Sequence, residues 1–429
     1  MNSAPEADAA RPNDQGRLAL TPFRGLRFSN ARIGDPAAVI SPPYDMIDPM
    51  QAHRLARSGV HNIVRLILPE LDEPDARLRY RRAARTLREW REEEALVLDL
   101  LPAIYVYQQD GPAGLQRGLI GALELPADDA GPVLPHEDVV DAVVADRQAL
   151  MHALGANPEP ILLTYEGGGP ASDLVERYAA DPSPLVDVAT EDGTHHRLWP
   201  ITDADELAAI AADLSPRRSL IADGHHRYAA YQRLAALSRP GTERGLALLV
   251  DSTRHPLQVR GIHRWLPDLP AEPALEKAAK YFTVTELDGG YKGALSALAE
   301  IPADRIAFAA IDRQRTWLIA DPEPQLLTES IPQDRPESWR TLDATVLHLA
   351  LAQRVWGVPD TADNIRFDHD AKNAVIEAHR HQGLAVLLRP VAESTVLELA
   401  AAGVRMPRKS TAFSPKPATG LVLRLLEEH

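Results

Sequence analysis

The chain has 429 residues, of which 45% are hydrophobic and 25% are charged, and its formal net charge is −15. It contains no cysteine, which excludes thiol catalysis, disulfides, iron–sulfur clusters and cysteine-based zinc sites, and fits a reducing cytoplasm. The acidic balance argues against nucleic-acid binding, which needs many phosphate contacts. Because no apolar run reaches about 18 residues, we predict no membrane span and expect a cytoplasmic protein.

The first half of the chain alternates between hydrophobic patterns typical of strands and of helices. Residues 1–17 are polar and rich in alanine and proline, so we predict a disordered tail there. The helices predicted after it lie at 50–59, 75–94, 139–154 and 203–215. The strands predicted lie at 62–70, 103–109, 117–125, 161–166, 195–201, 219–222 and 245–252.

The second half continues the alternation after a proline-containing linker at 267–273. Helix and strand patterns follow each other over 274–320, and 342–357 is typical of an amphipathic helix. A basic loop then enters a final strand or helix. We predict a mixed α/β (α+β) fold, with an N-terminal α/β region at 18–265 and a C-terminal α/β lobe at 266–429.

The stretch "SLIADGHHRYAAY", residues 219–231, predicts a strand, a glycine turn and a helix. Gly224 permits a sharp turn, and the helix that follows begins with unpaired amides that favour phosphate. Arg227 can grip phosphate oxygens, while His225 and His226 can exchange protons near neutral pH. Asp223 can bind Mg²⁺ or orient a histidine. The structural alternatives are a capped helix with surface histidines or a histidine-based metal site.

The sequence resembles the family called domain of unknown function 1015 over nearly the whole chain after the tail. The segments that carry this resemblance are "SPPYDMID", "NIVRLILPE", "PAIYVYQ", "PHEDVVDAVVADRQALMHALGANPEPILLTY", "LIADGHHRYAAY", "LDATVLHLAL" and "MPRKSTAFSPKPATGLV". The D-G-H-H-R segment is similar to the phosphate-binding motif of the ParB/sulfiredoxin superfamily, whose members bind ATP, ADP or CTP and include kinases of free serine.

This resemblance implies a ParB/sulfiredoxin-like nucleotide-binding core in addition to the C-terminal lobe. It also implies that Gly224, His225, His226 and Arg227 contact nucleotide phosphates. The chain is longer than those small proteins, and its N-terminal half differs from theirs.

Three other segments supply candidate site residues. "PHEDVVDAVVADRQAL" places His136 and Glu137 before a helix that contains Arg147. Glu137 can take a proton from a substrate hydroxyl, His136 can contact the substrate, and Arg147 can hold a phosphate or carboxylate. The structural alternative is helix capping by Glu137 or Asp138 and a surface face formed by Asp146 and Arg147.

"SPPYDMID" presents Tyr44 and Asp45 on a rigid turn, as a substrate contact and a candidate base, or else as a packed proline turn. The basic loop from Lys409 to Gly420 contains Lys409, Ser410, Thr411 and Lys416, which can close over a substrate carboxylate or terminal phosphate. Its alternative is a solvated loop. "GTHHRLWPI" repeats His-His-Arg at 195–197 without the preceding glycine, and we interpret it as structural.

Together with this resemblance, these residues predict a kinase that uses ATP or ADP with Mg²⁺ and phosphorylates the hydroxyl of a small molecule. Catalysis would involve Glu137, Asp45, His225 and Asp223, with Asp223 as the metal ligand. Free L-serine is the substrate implied by the resemblance. The alternatives are a nucleotide-binding regulator of the ParB type without small-molecule chemistry, or a metal-dependent hydrolase. The sequence does not specify the oligomeric state.

Overall fold

The structure is a computed structural model that describes residues 16–69, 73–126 and 131–427. In chain order the strands are β1 (Leu20–Thr21), β2 (Gly25–Phe28), β3 (Leu96–Leu98), β4 (Ile104–Gly111), β5 (Gly114–Glu124), β6 (Val133–Leu134), β7 (Ala156–Asn157), β8 (Ile161–Tyr165), β9 (Val186–Ala189), β10 (His195–Ile201), β11 (Ser219–Asp223), β12 (Arg244–Asp251), β13 (Gln258–Arg260), β14 (His263–Leu266), β15 (Thr283–Leu287), β16 (Ala307–Ile311), β17 (Thr316–Ala320), β18 (Arg366–Asp368), β19 (Leu384–Leu387), β20 (Ala412–Ser414) and β21 (Leu423–Leu425).

The α-helices are α1 (Pro49–Ser58), α2 (Val64–Ile67), α3 (Ala76–Glu92), α4 (Asp141–Leu154), α5 (Pro170–Ala179), α6 (Ala204–Leu214), α7 (His225–Ala235), α8 (Ala271–Ala278), α9 (Gly290–Glu300), α10 (Pro324–Ser330), α11 (Glu337–Arg340), α12 (Asp343–Thr345), α13 (Ala371–Arg380) and α14 (Glu393–Ala401). A π-helix spans Val346–Trp356. The mixed α/β class is therefore confirmed. Among the described residues, no helix combines the length and apolarity required to cross a membrane.

The chain forms two compact units. Unit 1 consists of Met1–Leu134, Val139–Leu257 and Pro415–His429, and unit 2 of Pro135–Asp138 and Gln258–Ser414. The domain limits 18–265 and 266–429 stay a prediction. Residues 1–15 of the predicted disordered tail lie outside the described residues.

Unit 1 contains two sheets. The larger has the order β6-β11-β8-β12-β5-β4-β10-β9, with β1 also paired to β5, and the smaller has the order β3-β2-β21-β7. Pairing is antiparallel except between β6 and β11 and between β8 and β12. Strands β8 and β11 lie in the core of the large sheet, and all five residues of each strand are buried. These two strands form the base on which the candidate site is built.

Unit 2 has a six-stranded sheet in the order β15-β17-β16-β19-β14-β18 and a two-stranded ribbon of β13 and β20. Successive residues of β16 alternate between two apolar clusters. Phe308 and Ala310 belong to one cluster, whereas Ala307, Ala309 and Ile311 belong to the other. Since side chains on a strand point alternately to opposite faces, this sheet has an apolar core on each side.

Most local predictions are confirmed, among them the β4–β5 pair and helix α6, which Asp203 caps. The strand predicted at 62–70 is wrong, because Val64–Ile67 forms a short helix. The buried side chain of Asn62 explains the difference. It accepts a hydrogen bond from the Val64 amide and donates to the carbonyl oxygens of Ala38 and Ile40. An asparagine that bonds to the backbone in this way competes with strand pairing.

Candidate functional site

The turn between β11 and α7 requires glycine. Gly224 has a φ of +95°, and a Cβ atom at this position would lie 2.9 Å from Ile161 Cγ2. The helix begins directly afterwards at His225, and Gly224 has no side chain that could cap it. The turn therefore combines a buried strand end with the positive end of a helix dipole.

Asp223, at the end of β11, contacts two cations. Its Oδ2 accepts a hydrogen bond from Arg227 Nη2 at 2.6 Å, and its Oδ1 lies 2.5 Å from Lys416 Nζ. The same Nζ donates to Asp45 Oδ2 at 2.7 Å. Burial alone would lower the pKa of Lys416, but the charges of Asp223 and Asp45 outweigh burial and raise it. Lys416 is therefore a protonated link between two carboxylates.

Arg227 is the buried member of this group, with only 3% of its surface exposed. Its Nη1 donates to the Pro160 carbonyl oxygen at 2.5 Å, and its Nε has no acceptor among the described residues. Burial opposes its charge, but Glu159 and Asp223 raise its pKa above the ordinary value. The guanidinium also lies beneath the turn, since a Cβ on Gly224 would come within 3.2 Å of Nε.

The Tyr44 ring lies near two guanidinium groups. Its centroid is 4.4 Å from the guanidinium carbon of Arg147 and 5.8 Å from that of Arg227. The Tyr44 amide donates to Glu159 Oε1 at 3.0 Å. Burial raises the pKa of Tyr44 to about 12, so its hydroxyl is neutral. Burial also raises the pKa of Glu159, although Arg227 and Arg147 oppose this shift.

Arg147 is held in place by a backbone carbonyl oxygen and a carboxylate. It donates to the Ile67 carbonyl oxygen and to Asp146 Oδ2, both at 2.8 Å. Asp146 also accepts a short hydrogen bond from the Tyr80 hydroxyl. Burial would raise the pKa of Asp146, but the charge of Arg147 and the Tyr80 hydrogen bond lower it, so this carboxylate is ionised.

The two histidines of the motif have different surroundings. His225 is buried. His226 Nε2 accepts a hydrogen bond from the Val140 amide at 3.0 Å. Val140 is the N-cap residue of α4 and has no side-chain cap of its own, so His226 caps that helix.

The predicted site residues divide between the units. Unit 1 brings together Tyr44, Asp45, Arg147, Asp223, Gly224, Arg227 and Lys416, with His225 and His226 on the same turn. Unit 2 contains His136, Glu137, Lys409, Ser410 and Thr411. The basic loop is thus divided, because residues 409–414 belong to unit 2 and residues 415–420 to unit 1.

Within unit 2, several of these residues hold the loop in place. His136 Nε2 and Thr411 Oγ1 are 2.9 Å apart, and the His136 amide carbonyl accepts from Met406. Ser410 Oγ donates to the Pro407 carbonyl oxygen at 2.6 Å. Lys409 has a φ of +56°. These contacts order the loop, and the substrate roles of its side chains remain predictions.

Sequence reasoning missed Glu159, Asp146 and Tyr80. Glu159 had a usable signal, because it stands between two prolines immediately before the apolar strand β8. A carboxylate at the start of a buried strand requires a polar partner. The roles of Asp146 and Tyr80 depend on contacts between helices that are distant in the sequence.

The predicted Mg²⁺ ligand Asp223 does not have the surroundings of a metal ligand. Both of its oxygens contact cationic side chains. The described residues include no group of three or more histidine, aspartate or glutamate side chains placed to hold a metal ion. We therefore derive no catalytic step through a metal.

Several solved structures are similar to this chain at low identity. A mutant free serine kinase in complex with AMP is 17% identical, with a TM-score of 0.35, 70% of this chain covered and 90% of that one. A conserved hypothetical protein from Pyrococcus furiosus is 16% identical, with a TM-score of 0.35 and coverages of 70% and 94%. SbnI from Staphylococcus aureus, truncated at its C-terminus, is 11% identical, with a TM-score of 0.37 and coverages of 71% and 87%.

We draw no functional argument from these distant similarities. No curated protein sequence matches the chain. The sequence profile of one family does match, over residues 20–345. This match covers most of the chain, including the β11–α7 turn with Asp223 and Arg227, and ends before Lys416. The chain therefore belongs to the family of proteins of unknown function called DUF1015.

Proposed function

We propose that this protein transfers a phosphoryl group from ATP or ADP to the hydroxyl of a small molecule. The observation that carries the proposal is the position of Lys416, whose Nζ links Asp223, at the end of β11, to Asp45. A cation is thus held beside a glycine turn and the start of α7, and both features favour a phosphate group. The resemblance of D-G-H-H-R to the ParB/sulfiredoxin phosphate-binding motif agrees with this assignment.

In the proposed complex, a nucleotide phosphate lies at the amides that begin α7 and attracts Lys416 away from the carboxylates. Lys416 then neutralises charge on the transferred group. Arg227 supports the turn from below and keeps Asp223 paired, since its guanidinium is buried against both. Arg147 adds a second positive charge through its contact with Tyr44.

Asp45 is the proposed general base. About a third of its side chain is exposed, compared with 16% for Lys416. When Lys416 moves to the phosphate, the Asp45 carboxylate accepts the proton of the substrate hydroxyl. The hydroxyl oxygen bonds to the terminal phosphorus, and the bond from that phosphorus to the bridging oxygen breaks. The products are a phosphomonoester and a nucleotide with one phosphate fewer.

The substrate we propose first is free L-serine, on the basis of the family resemblance. Glu137 is the other predicted base and belongs to unit 2. A nucleotide-dependent regulator without transfer chemistry is the main alternative, because release of Lys416 from two carboxylates could itself change the conformation of residues 415–427. A metal-dependent hydrolase has less support, since the described residues present no metal-binding cluster.

The test is phosphoryl transfer by the full chain, followed by phosphorus NMR, with ATP or ADP and a panel of hydroxyl compounds that starts with L-serine. Lys416→Met should weaken nucleotide binding and slow turnover by about a hundredfold or more. Asp45→Asn should slow turnover on the order of a hundredfold to ten-thousandfold without weakening nucleotide binding. Lys372→Met, which alters an exposed lysine on α13, is the matched control.

Unchanged nucleotide affinity in Lys416→Met would contradict the proposed phosphate site. Saturable nucleotide binding with no product from any acceptor would instead favour the regulator. If Glu137→Gln slows turnover and Asp45→Asn does not, then Asp45 is not the base.

A further inference from the structure

Unit 2 also contains a buried arginine. Arg264, on β14, has 1% of its surface exposed. Its Nε donates to His348 Nε2 at 3.1 Å, its Nη1 forms a short hydrogen bond with the Ile262 carbonyl oxygen, and its Nη2 lies 3.5 Å from the Arg408 carbonyl oxygen. Among the described residues, the hydrogen-bond acceptors of Arg264 are an imidazole nitrogen and two carbonyl oxygens. No carboxylate is among these acceptors.

The imidazole beside Arg264 is neutral. His348 Nε2 must accept the hydrogen bond from Arg264, because a guanidinium can only donate. The proton of His348 is therefore on Nδ1, which lies 3.0 Å from Asp360 Oδ2. Burial also lowers the pKa of His348, which agrees with an uncharged ring. Asp360 thus fixes the tautomer of His348 with the proton on Nδ1. The His348 ring lies between the Asp360 carboxylate and the Arg264 guanidinium.

Arg227 and Arg264 differ in how their charges are compensated. Carboxylates raise the pKa of Arg227, whereas burial lowers that of Arg264 to about 9, although Asp360 and Glu137 oppose the shift. A buried cation without a directly bonded anion is unfavourable, because burial removes its hydration. The charge of Arg264 is therefore compensated less directly than that of Arg227.

The Nη2 group of Arg264 also makes a weaker hydrogen bond than that of Arg424, a buried arginine that links chain segments of unit 1. Arg424 in unit 1 donates to Asn157 Oδ1 and to the carbonyl oxygens of Arg244 and Gly241, all within 3.0 Å. By comparison, the Nη2 of Arg264 has only the 3.5 Å contact, which is too long for a good hydrogen bond. Among the contacts of the described residues, the Nη2 group of Arg264 therefore has a weak hydrogen bond.

The plane of the Arg264 guanidinium is fixed. Its central carbon lies 5.0 Å from the centre of the Phe367 ring, and Nε is held by His348. The loosely bonded Nη2 edge faces the Arg408 carbonyl oxygen, in an exposed loop residue. A carboxylate has the planar geometry that two parallel guanidinium N–H groups recognise, and it could replace this weak carbonyl contact.

We propose that Arg264 is the anchor of an anion site within unit 2 that binds the carboxylate of a small organic acid. His348 and Asp360 are positioning residues that orient the guanidinium, and the loop around Arg408 is displaced on binding. The inference does not rest on the proposed phosphoryl transfer, whose phosphate site and proposed base Asp45 belong to unit 1.

The test measures acetate binding to the full chain by calorimetry and by thermal unfolding, at constant ionic strength with chloride as the reference salt. Acetate should bind saturably and raise the melting temperature. Arg264→Lys keeps the charge but loses the two-pronged geometry, so it should weaken acetate binding at least about tenfold. Arg315→Met is the matched control, because Arg315 also lies over an aromatic ring in unit 2 but is exposed.

The control should change acetate affinity by less than about twofold. Absence of acetate binding to the wild-type chain, or equal binding by Arg264→Lys, would overturn the proposal. Binding of inorganic phosphate in preference to acetate would overturn the assignment to carboxylates. Arg264→Met should abolish binding, and if that variant does not fold, Arg264→Lys alone decides the outcome.

Discussion

Replacement of Arg227 by methionine tests whether the buried charges of unit 1 depend on one another. Methionine fills part of the same volume but removes the cation that bonds Asp223 at 2.6 Å and lies near Glu159. Both carboxylates are buried. The variant should therefore leave Glu159 without the cation that opposes its burial most strongly, and Asp223 with Lys416 as its remaining cationic contact.

The expected loss is large for a single substitution. Opposite charges about 4 Å apart attract by about 4 kcal/mol at an effective dielectric constant of about 20. Removal of one member of a buried pair typically destabilises a protein by about 3–5 kcal/mol, because the remaining charge is uncompensated. Arg177→Met is the matched control. It breaks a more exposed pair with Glu206, for which about 0.2–1 kcal/mol is expected.

The assay is chemical denaturation at several pH values. Without Arg227, the pKa of Glu159, which burial already raises, should rise further. An acid whose pKa is higher in the folded state binds protons more tightly there than in the unfolded chain, so the deficit of Arg227→Met should shrink as the pH falls towards 4. Adding Glu159→Gln should restore part of the stability at pH 7. A loss no larger than that of Arg177→Met, with no pH dependence, would refute this reasoning.

Two further predictions concern the turn and the buried histidines. Gly224→Ala should destabilise the protein by about 1–3 kcal/mol in thermal denaturation. The control Gly193→Ala should cost less, because Gly193 also has a positive φ but has open space where a Cβ would lie. Equal losses in the two variants would exclude the clash with Ile161. Burial lowers the pKa of His196 and of His263 to about 4. The free energy of unfolding should therefore fall by up to about 3 kcal/mol for each histidine as the pH drops from 6.5 to 4. Chemical denaturation of His196→Gln should show a smaller pH dependence than the wild type, and an unchanged pH dependence would exclude His196 as a cause.

The sequence predicts the parts of the site that depend on local patterns. The strand, Gly224 and the helix after it are neighbours in the chain, and their residue preferences act over a few positions. The pairing of Lys416 with Asp45 joins residues 371 positions apart, and no periodicity encodes it. His226 caps helix α4 through Val140, which lies 86 residues earlier in the chain, so this contact is also long-range.

The π-helix illustrates a different limit. Residues 342–357 have an apolar pattern that predicts a helix, and a helix is present. The apolar pattern does not distinguish the wider winding over Val346–Trp356 from an α-helix. Buried residues of this segment pack in the larger apolar cluster of unit 2. His348, which contacts Arg264, lies in this segment.

The return of residues 415–427 to unit 1 has a consequence for the order of synthesis. Strand β21 pairs with β2 on one side and β7 on the other, and the same segment carries Lys416. A ribosome that adds about 5–20 residues per second needs roughly eight to thirty seconds to pass from residue 257 to residue 415. During that interval the nascent unit 1 has a gap in its smaller sheet, with unpaired backbone edges that a chaperone or a neighbouring nascent chain can reach. Since Lys416 emerges only with the strand that fills the gap, the proposed nucleotide site cannot operate before the sheet can close.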